Sequence, residues 1–170
     1  PITKNLIIIN VLFFLAQQIL GMRYDTDLND LLGLHFFLAS DFHLYQLVTY
    51  MFMHGNFQHI LFNMLAVWMF GRVMESVWGP RRFLLFYFVS GIGAGLTQEV
   101  VQYISFVMNG LSALPLDGLV SVEGYTMPLS SYLNFWTTVG ASGAVYGILL
   151  AFGETFPNER MFIFPLPVPI

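Results

Sequence analysis

Residues 54–77 read HGNFQHILFNMLAVWMFGRVMESV, in which the polar side chains of His54, His59 and Asn63 are followed by an apolar run. A helix needs about 20 apolar residues to cross a hydrocarbon core of about 30 Å, and residues 57–77 have that length. Three further stretches come near it: residues 5–22, 83–102 and 139–156. The sequence therefore predicts an all-α, polytopic membrane helix bundle with four spans in this chain.

The composition supports a membrane protein and excludes several function classes. The chain is 56% hydrophobic and only 9% charged, a balance that a water-soluble domain could hardly cover with polar surface. With no cysteine, the chain has no disulfide framework, no thiolate metal site and no thiol nucleophile. The six basic residues form no extended patch, so nucleic acid is not an expected partner.

The positive charges predict the orientation of the bundle, because short cytoplasmic loops carry an excess of lysine and arginine. Arg23 would lie on the outer side, and the other basic residues would lie inside: Lys4, Arg72, Arg81, Arg82 and Arg160. This places the amino terminus in the cytoplasm. The first apolar run lacks an A-x-A cleavage site and is expected to be a retained span, not a signal peptide.

Two long loops and a tail complete the predicted topology. Residues 23–56 and 103–138 are too apolar for solvated linkers, and they either lie in the membrane interface or pack on the outer surface of the bundle. In the tail, alternating prolines at 165, 167 and 169 rule out a continuing helix, since each removes a hydrogen-bond donor. We expect the tail to be extended.

Polar residues inside membrane spans are costly and indicate function, and here they form two groups. One group opens the second span, and the other, Gly140-Ala141-Ser142-Gly143, opens the fourth. Both spans enter from the same side, so the two groups should lie at the same depth. His59 and Asn63 are four residues apart and share a helix face, whereas His54 lies off that face and ties down the outer loop.

Ser142 should lie in the first turn of its helix, where backbone N–H groups lack intrahelical partners. Together with the side chains of His59 and Asn63, the Ser142 N–H would form a three-donor oxyanion hole. Gly140 and Gly143 would leave room for a substrate backbone. The Gly143-x3-Gly147 spacing also provides a small-residue face for close helix packing.

These motifs together resemble the rhomboid family of intramembrane serine proteases. The resemblance rests on His54-x4-His59-x3-Asn63, on Gly140-Ala141-Ser142-Gly143, and on Gly71-x3-Glu75-x3-Gly79 at the end of the second span. It covers the chain from the first span through the fourth. It implies that residues 1–170 form a single, incomplete rhomboid-like membrane domain, four spans of a six-span core whose fifth and sixth spans are absent.

The resemblance also implies a role for each motif residue. Ser142 would be the nucleophile, and His59 and Asn63 the oxyanion donors. Gly140, Gly143, Tyr146 and His54 would serve substrate binding, with Tyr146 packing against the catalytic histidine and His54 bracing the first loop. That histidine, the base, lies on the sixth span of the family and hence outside this chain. Tyr45-Gln46 stands where the family commonly has Trp-Arg.

The implied function is a serine endopeptidase that cleaves transmembrane segments of membrane proteins near the outer leaflet through a Ser-His dyad. Its partners would be transmembrane substrates and the lipid bilayer, its location the cell (inner) membrane as a multi-pass protein, and no metal or other cofactor is implied. A non-catalytic rhomboid-like protein that binds transmembrane segments is the alternative.

Metal or haem ligation is a further alternative, which the histidine spacing does not favour. His54 and His59 do not share a helix face, and the sequence has no H-E-x-x-H string. His35 and His43 lie in a loop without a spacing signal and are expected to be solvated or interfacial.

Overall fold

A computed structural model of the chain describes residues 1–158, 160–163 and 166–169. Its helices are α1 (Ile2–Tyr24), α2 (Leu28–Leu32), α3 (Gln46–Thr49), α4 (Phe57–Ala66), α5 (Arg72–Trp78), α6 (Pro80–Met108), α7 (Leu129–Phe135) and α8 (Ser142–Thr155). Its strands are β1 (Leu34–His35), β2 (Leu119–Val122), β3 (Tyr125–Pro128), β4 (Thr137–Thr138), β5 (Arg160–Ile163) and β6 (Leu166–Pro169). Short 3₁₀ turns cover Tyr50–Phe52 and Leu111–Ala113.

Three helical stretches in the described residues are long and apolar enough to cross a membrane: Ile2–Tyr24, Phe57–Trp78 and Pro80–Met108. They overlap the first three predicted spans and, by length and composition, are candidates for crossing a membrane. The second stretch joins α4 to α5 through a π-helical turn at Val67–Gly71. The third was predicted too short at both ends: its 29 residues extend about 44 Å, well beyond the hydrocarbon core.

The helix within the fourth predicted span, residues 139–156, is shorter than predicted and begins later. Helix α8 has 14 residues and extends about 21 Å, which is short of a hydrocarbon core of about 30 Å. It starts at Ser142 because the chain before it is not helical. Thr137 and Thr138 pair with β1, and Gly140 has a φ of +122°, which no helix contains.

The four helical stretches pack around a common core. Its buried side chains include Leu6 of α1, Met64 of α4, Phe83 and Tyr87 of α6, and Ile148 of α8. Helix α8 lies against α6 through the two glycines of the predicted packing face. A methyl group on Gly143 would lie 2.3 Å from Ala94 Cβ, and one on Gly147 would lie 2.6 Å from Ser90 Oγ. Glycine at both positions lets the two helices approach closely.

The loop of residues 23–56 packs on the bundle. Met51 and Met53 are fully buried, and Gln46 is buried as a hydrogen-bonding hub inside the loop. Its side chain accepts from the N–H groups of His35 and His43 at 3.3 and 3.1 Å, and donates to the Asp41 carbonyl at 2.9 Å. Gln46 therefore anchors the loop, at the position where the family that the sequence resembles commonly has an arginine.

His35 is not solvated or interfacial, as the sequence predicted, but completely buried. Its backbone pairs with Thr137, and its ring Nε2 lies 2.7 Å from the Asp30 carbonyl oxygen. No pattern in the sequence indicates this pairing, because it joins His35 to Thr137, far along the chain. His43, in contrast, is exposed and stacks on Tyr45, with ring centroids 5.2 Å apart.

Residues 103–138 are also more ordered than a simple loop. Six of them extend α6, and the rest include the antiparallel hairpin β2–β3 and helix α7. Leu129 and Leu133 of α7 form a second small core with Phe36 and Ala39 of the first loop. The two loops thus support each other at the end of the bundle where α8 begins. The expected extended tail contains the strand pair β5–β6, and Pro165 lies outside the described residues.

Candidate active site

His59 lies at the start of α4, where local hydrogen bonds fix its backbone and its ring. The Asn56 side chain caps the helix and accepts from the His59 N–H at 2.8 Å. The Gly55 N–H donates to His59 Nδ1 at 3.4 Å. Because an N–H can only donate, this bond assigns Nδ1 as an acceptor and the proton of the neutral ring to Nε2. The ring is therefore set to donate a hydrogen bond from Nε2.

Gly140 brings that ring edge together with Ser142. A methyl group on Gly140 would lie 2.6 Å from His59 Nε2 and 3.7 Å from Ser142 Oγ. Two atoms that are both within 4 Å of one point lie well inside a helix diameter of about 10 Å. The Gly140 N–H donates to the Tyr50 carbonyl oxygen at 2.8 Å, which holds this turn against the first loop. The predicted convergence of the two polar clusters is present for His59 and Ser142.

Ser142 is half-buried and is the first residue of α8. The Val145 N–H donates to the Ala141 carbonyl oxygen, and the N–H groups before it belong to the first turn, where a helix offers no carbonyl partner. These N–H groups and the positive end of the helix dipole favour negative charge beside the Ser142 hydroxyl. The arrangement suits an oxyanion.

Asn63 lies one turn after His59 and is buried, with 6% of its surface exposed. Its Nδ2 donates to the His59 carbonyl oxygen at 3.0 Å. An amide nitrogen carries two hydrogens, so one N–H of Asn63 is left for another acceptor. Asn63, which the spacing predicts to share a helix face with His59, can therefore supply a second side-chain donor.

His54 is buried, and its ring packs against that of His59. The two imidazole rings meet edge to face, with centroids 5.1 Å apart. Burial, together with the neighbouring His59, lowers the pKa of His54 to about 4, so its ring is neutral at pH 7. The His54 backbone pairs with the Gln17 side chain of α1, which accepts from its N–H at 3.2 Å and donates to its carbonyl at 3.1 Å.

Two other residues predicted to bind substrate, Tyr146 and Gly143, also lie on α8. Tyr146 lies one turn after Ser142 on the outer face of α8, with 72% of its surface exposed. The space beside Gly143 is filled by Ala94, so any contact of Gly143 with a substrate would fall to its backbone. Among the described residues, no group of three histidine or acidic side chains could hold a metal ion.

Sequence reasoning missed three residues that position the site: Gln17, Tyr50 and Glu99. Gln17 and Glu99 are buried polar residues within candidate spans, a signal that could have found both. Glu99 Oε2 accepts from the Phe37 N–H at 2.7 Å and so ties the first loop to α6. Tyr50 gave no signal, because its role depends on its backbone carbonyl and on a hydroxyl that donates to Gly91 O.

Comparison with known proteins places these features in a family. A family model described as the Rhomboid domain matches residues 41–170. Rhomboid protein 1, mitochondrial, of Saccharomyces cerevisiae is 30% identical over 118 residues, which are 69% of this chain and 27% of that protein. Rhomboid protease AarA of Providencia stuartii is 29% identical over 155 residues, 88% of this chain and 49% of that protein.

A third relative is similar over nearly all of the chain. Rhomboid protease GlpG of Yersinia pestis (strain Pestoides F) is 24% identical over 185 residues, which cover 94% of this chain and 65% of that protein. The chain therefore spans between about a quarter and two thirds of the length of these relatives.

The family match includes both polar clusters, from His54 to Asn63 and from Gly140 to Ser142. The apolar helices of the structure agree with an integral membrane protein. The chain belongs to the rhomboid family.

Proposed function

We propose that this chain carries the nucleophile and oxyanion hole of an intramembrane serine endopeptidase. The observation that supports this most is the shared position of Ser142 Oγ and His59 Nε2 beside Gly140. A hydroxyl and a hydrogen-bond donor at one place are what acyl transfer requires, since the carbonyl oxygen becomes negative as the hydroxyl attacks. Two of the three relatives above are named rhomboid proteases.

In the proposed reaction, Ser142 Oγ attacks a peptide carbonyl carbon while a base takes its proton. The Ser142 N–H, His59 Nε2–H and Asn63 Nδ2–H then stabilise the oxyanion of the tetrahedral intermediate. The same proton returns to the leaving amine, and water hydrolyses the acyl-enzyme in a second round of attack.

The base in this proposal is a histidine outside residues 1–170, as the resemblance to the family implies, and the four histidines of this chain have other surroundings. His59 carries its proton on Nε2 and is a donor on the side of Ser142. His54 is buried with its ring packed edge to face on that of His59, and His35 is buried against Asp30. His43 lies in the first loop, stacked on Tyr45.

The substrates would be transmembrane segments of other membrane proteins, cut near the outer leaflet of the cell (inner) membrane. Ser142 lies at the end of the bundle that carries the long loops, so a substrate helix must expose its backbone there. Segments with small or helix-breaking residues near the cut should therefore be preferred. No metal or other cofactor takes part in the proposed reaction.

Cleavage of a transmembrane substrate in proteoliposomes, by protein that includes the segment carrying the proposed base histidine, tests this function. We expect Ser142→Ala to abolish cleavage and His59→Ala to lower kcat by about 10²–10³-fold. Ser76→Ala is the matched control, because Ser76 is exposed and bonds only to its own helix. Cleavage that persists in Ser142→Ala would remove this serine from the mechanism. A wild-type protein that binds the substrate without cutting it would favour the non-catalytic alternative.

A further inference from the structure

A groove lies at the end of the bundle opposite Ser142, between α1 and the second span. Its volume is about 430 Å³, and its walls include two cationic side chains and three large apolar ones: Lys4, Arg72, Ile7, Ile8 and Trp68. A neighbouring cleft of about 480 Å³ shares Trp68 and Arg72 and continues along the second span. None of these residues takes part in the proposed catalysis.

The two cations come from different helices but lie at the same level. A methyl group on Gly71 would lie 3.4 Å from Thr3 Cγ2, so α1 and the second span touch at that point. Lys4 and Arg72 are the next residues along their chains from this contact. Both are exposed, and both lie inside helical stretches long enough to cross a membrane.

Glu75, one turn after Arg72, hydrogen-bonds to the start of α1 and forms no ion pair with Lys4 or Arg72 among the described residues. Glu75 accepts from the N–H groups of Ile2 and Thr3 at 2.6 and 2.9 Å, and from the Thr3 hydroxyl at 2.7 Å. In the part of the chain that the structure describes, neither Lys4 nor Arg72 forms an ion pair. Two exposed cations without an ion-paired carboxylate favour an anion supplied from outside.

Trp68, together with Arg72, indicates that the groove lies at the level of the membrane–water interface. The Arg72 guanidinium lies over its ring, 5.4 Å from the centroid, and the indole is half exposed. Tryptophan and arginine are typical of the level at which lipid headgroups meet the hydrocarbon. Beyond the cations the groove continues along Ile7 and Ile8, which offer a wall to an acyl chain. Free phosphate would fit the cations but would leave this apolar wall unused.

We propose that this groove binds an anionic phospholipid, with its phosphate between Lys4 and Arg72 and an acyl chain along Ile7, Ile8 and Trp68. The charge and the apolar walls carry this inference, and it does not depend on proteolysis. Basic pockets between membrane helices are suited to acidic headgroups, and each cation near the membrane surface contributes about 1 kcal/mol.

Quenching of Trp68 fluorescence tests the proposal. The protein would carry Trp78→Phe and Trp136→Phe, so that Trp68 is the only tryptophan, and would be reconstituted in phosphatidylcholine vesicles. Phosphatidylglycerol or phosphatidylcholine with brominated acyl chains would then be added at equal mole fraction. We expect stronger quenching by the brominated phosphatidylglycerol. Lys4→Gln and Arg72→Gln should each lower this preference about fivefold.

Arg81→Gln is the matched control, because Arg81 is exposed at the same end of the bundle but does not line the groove. The preference of Arg81→Gln for brominated phosphatidylglycerol over brominated phosphatidylcholine should equal that of the parent protein. Equal quenching by the two lipids would show an unspecific apolar surface and overturn the proposal. An equal loss in Arg81→Gln would show general attraction to the membrane surface, and no quenching by either lipid would show that protein covers the groove. Both results would also overturn it.

Discussion

The imidazole of His59 fills the space beside Gly140 in which any side chain would stand. A methyl group on Gly140 would lie 2.6 Å from both Cε1 and Nε2 of His59. The backbone of Gly140 also has a φ of +122°, which L-amino acids with a side chain rarely adopt. Gly140 therefore permits the close approach of the His59 ring to Ser142, and its substitution should separate them.

Gly140→Ala should lower proteolytic activity at least as much as the loss of one oxyanion donor, about 10²-fold, because the methyl group displaces the His59 ring. The measurement is kcat for cleavage of a transmembrane substrate. Gly93→Ala is the control, since a methyl group on Gly93 meets nothing within 4 Å. Unchanged kcat in Gly140→Ala would show that the His59 ring is not held at this position during the reaction.

Gln17→Leu should destabilise the fold by about 1–3 kcal/mol, because it leaves the buried N–H and carbonyl of His54 without partners. The free energy of unfolding in mixed detergent micelles measures this effect. Gln18→Leu is the neighbouring control, since Gln18 is exposed on the same helix. Equal stability of the two variants would contradict the role of Gln17 as the anchor of His54.

His54 should make the stability depend on pH in the acid range. Its pKa in the folded protein is about 4, against 6.5 in the unfolded chain, so the unfolded state binds the proton more tightly. Stability is then fully present above about pH 6.5 and is lost as the pH falls towards about 4. The size of the loss is on the order of 3 kcal/mol.

His54→Phe keeps an aromatic ring at this position and should flatten the pH dependence between about pH 6.5 and about pH 4. His43→Phe should leave it intact, because His43 lies exposed in the first loop. Thermal unfolding in detergent at a series of pH values compares the variants. The prediction fails if His54→Phe and the wild type lose stability in parallel.

Tyr50→Phe should lower stability by about 0.5–1.5 kcal/mol, because it removes the buried hydrogen bond of 2.5 Å from the Tyr50 hydroxyl to Gly91 O. Since the Tyr50 carbonyl holds Gly140, kcat should fall a few-fold as well. Tyr45→Phe is a matched control: its hydroxyl bonds to Leu31 O at 3.2 Å in an exposed place. An equally small effect of both substitutions would show that the Tyr50 hydroxyl does not support the site.

The sequence predicts the long apolar helices well, because a run of about 20 apolar residues matches the length that a helix needs to cross the hydrocarbon core. It also predicts that His59 and Ser142 meet, since two polar clusters at the same depth of a small bundle must lie close together. It fails at the start of the fourth helix, where one glycine conformation and a two-residue strand pair decide the boundary. Neither the glycine conformation nor the strand pair produces a periodic pattern in the sequence.

The long loops could not be predicted in detail for a similar reason. Their structure depends on contacts between distant residues, such as β1 with β4 and Phe37 with Glu99. Buried polar side chains make several of these contacts. The position of such a residue in an apolar span indicates that a partner exists, but a single sequence does not say which one. His35 and Gln46 are found only once the loop is folded.

Labelling of the serine hydroxyl by a fluorophosphonate probe, in purified protein that includes the proposed base histidine, tests the role of Ser142 independently of any substrate. We predict a single adduct, located by mass spectrometry at Ser142, that is lost in Ser142→Ala and forms far more slowly in His59→Ala, where the phosphonyl oxygen loses its donor. Equal labelling of the wild type and Ser142→Ala would contradict the assignment of Ser142 as the nucleophile.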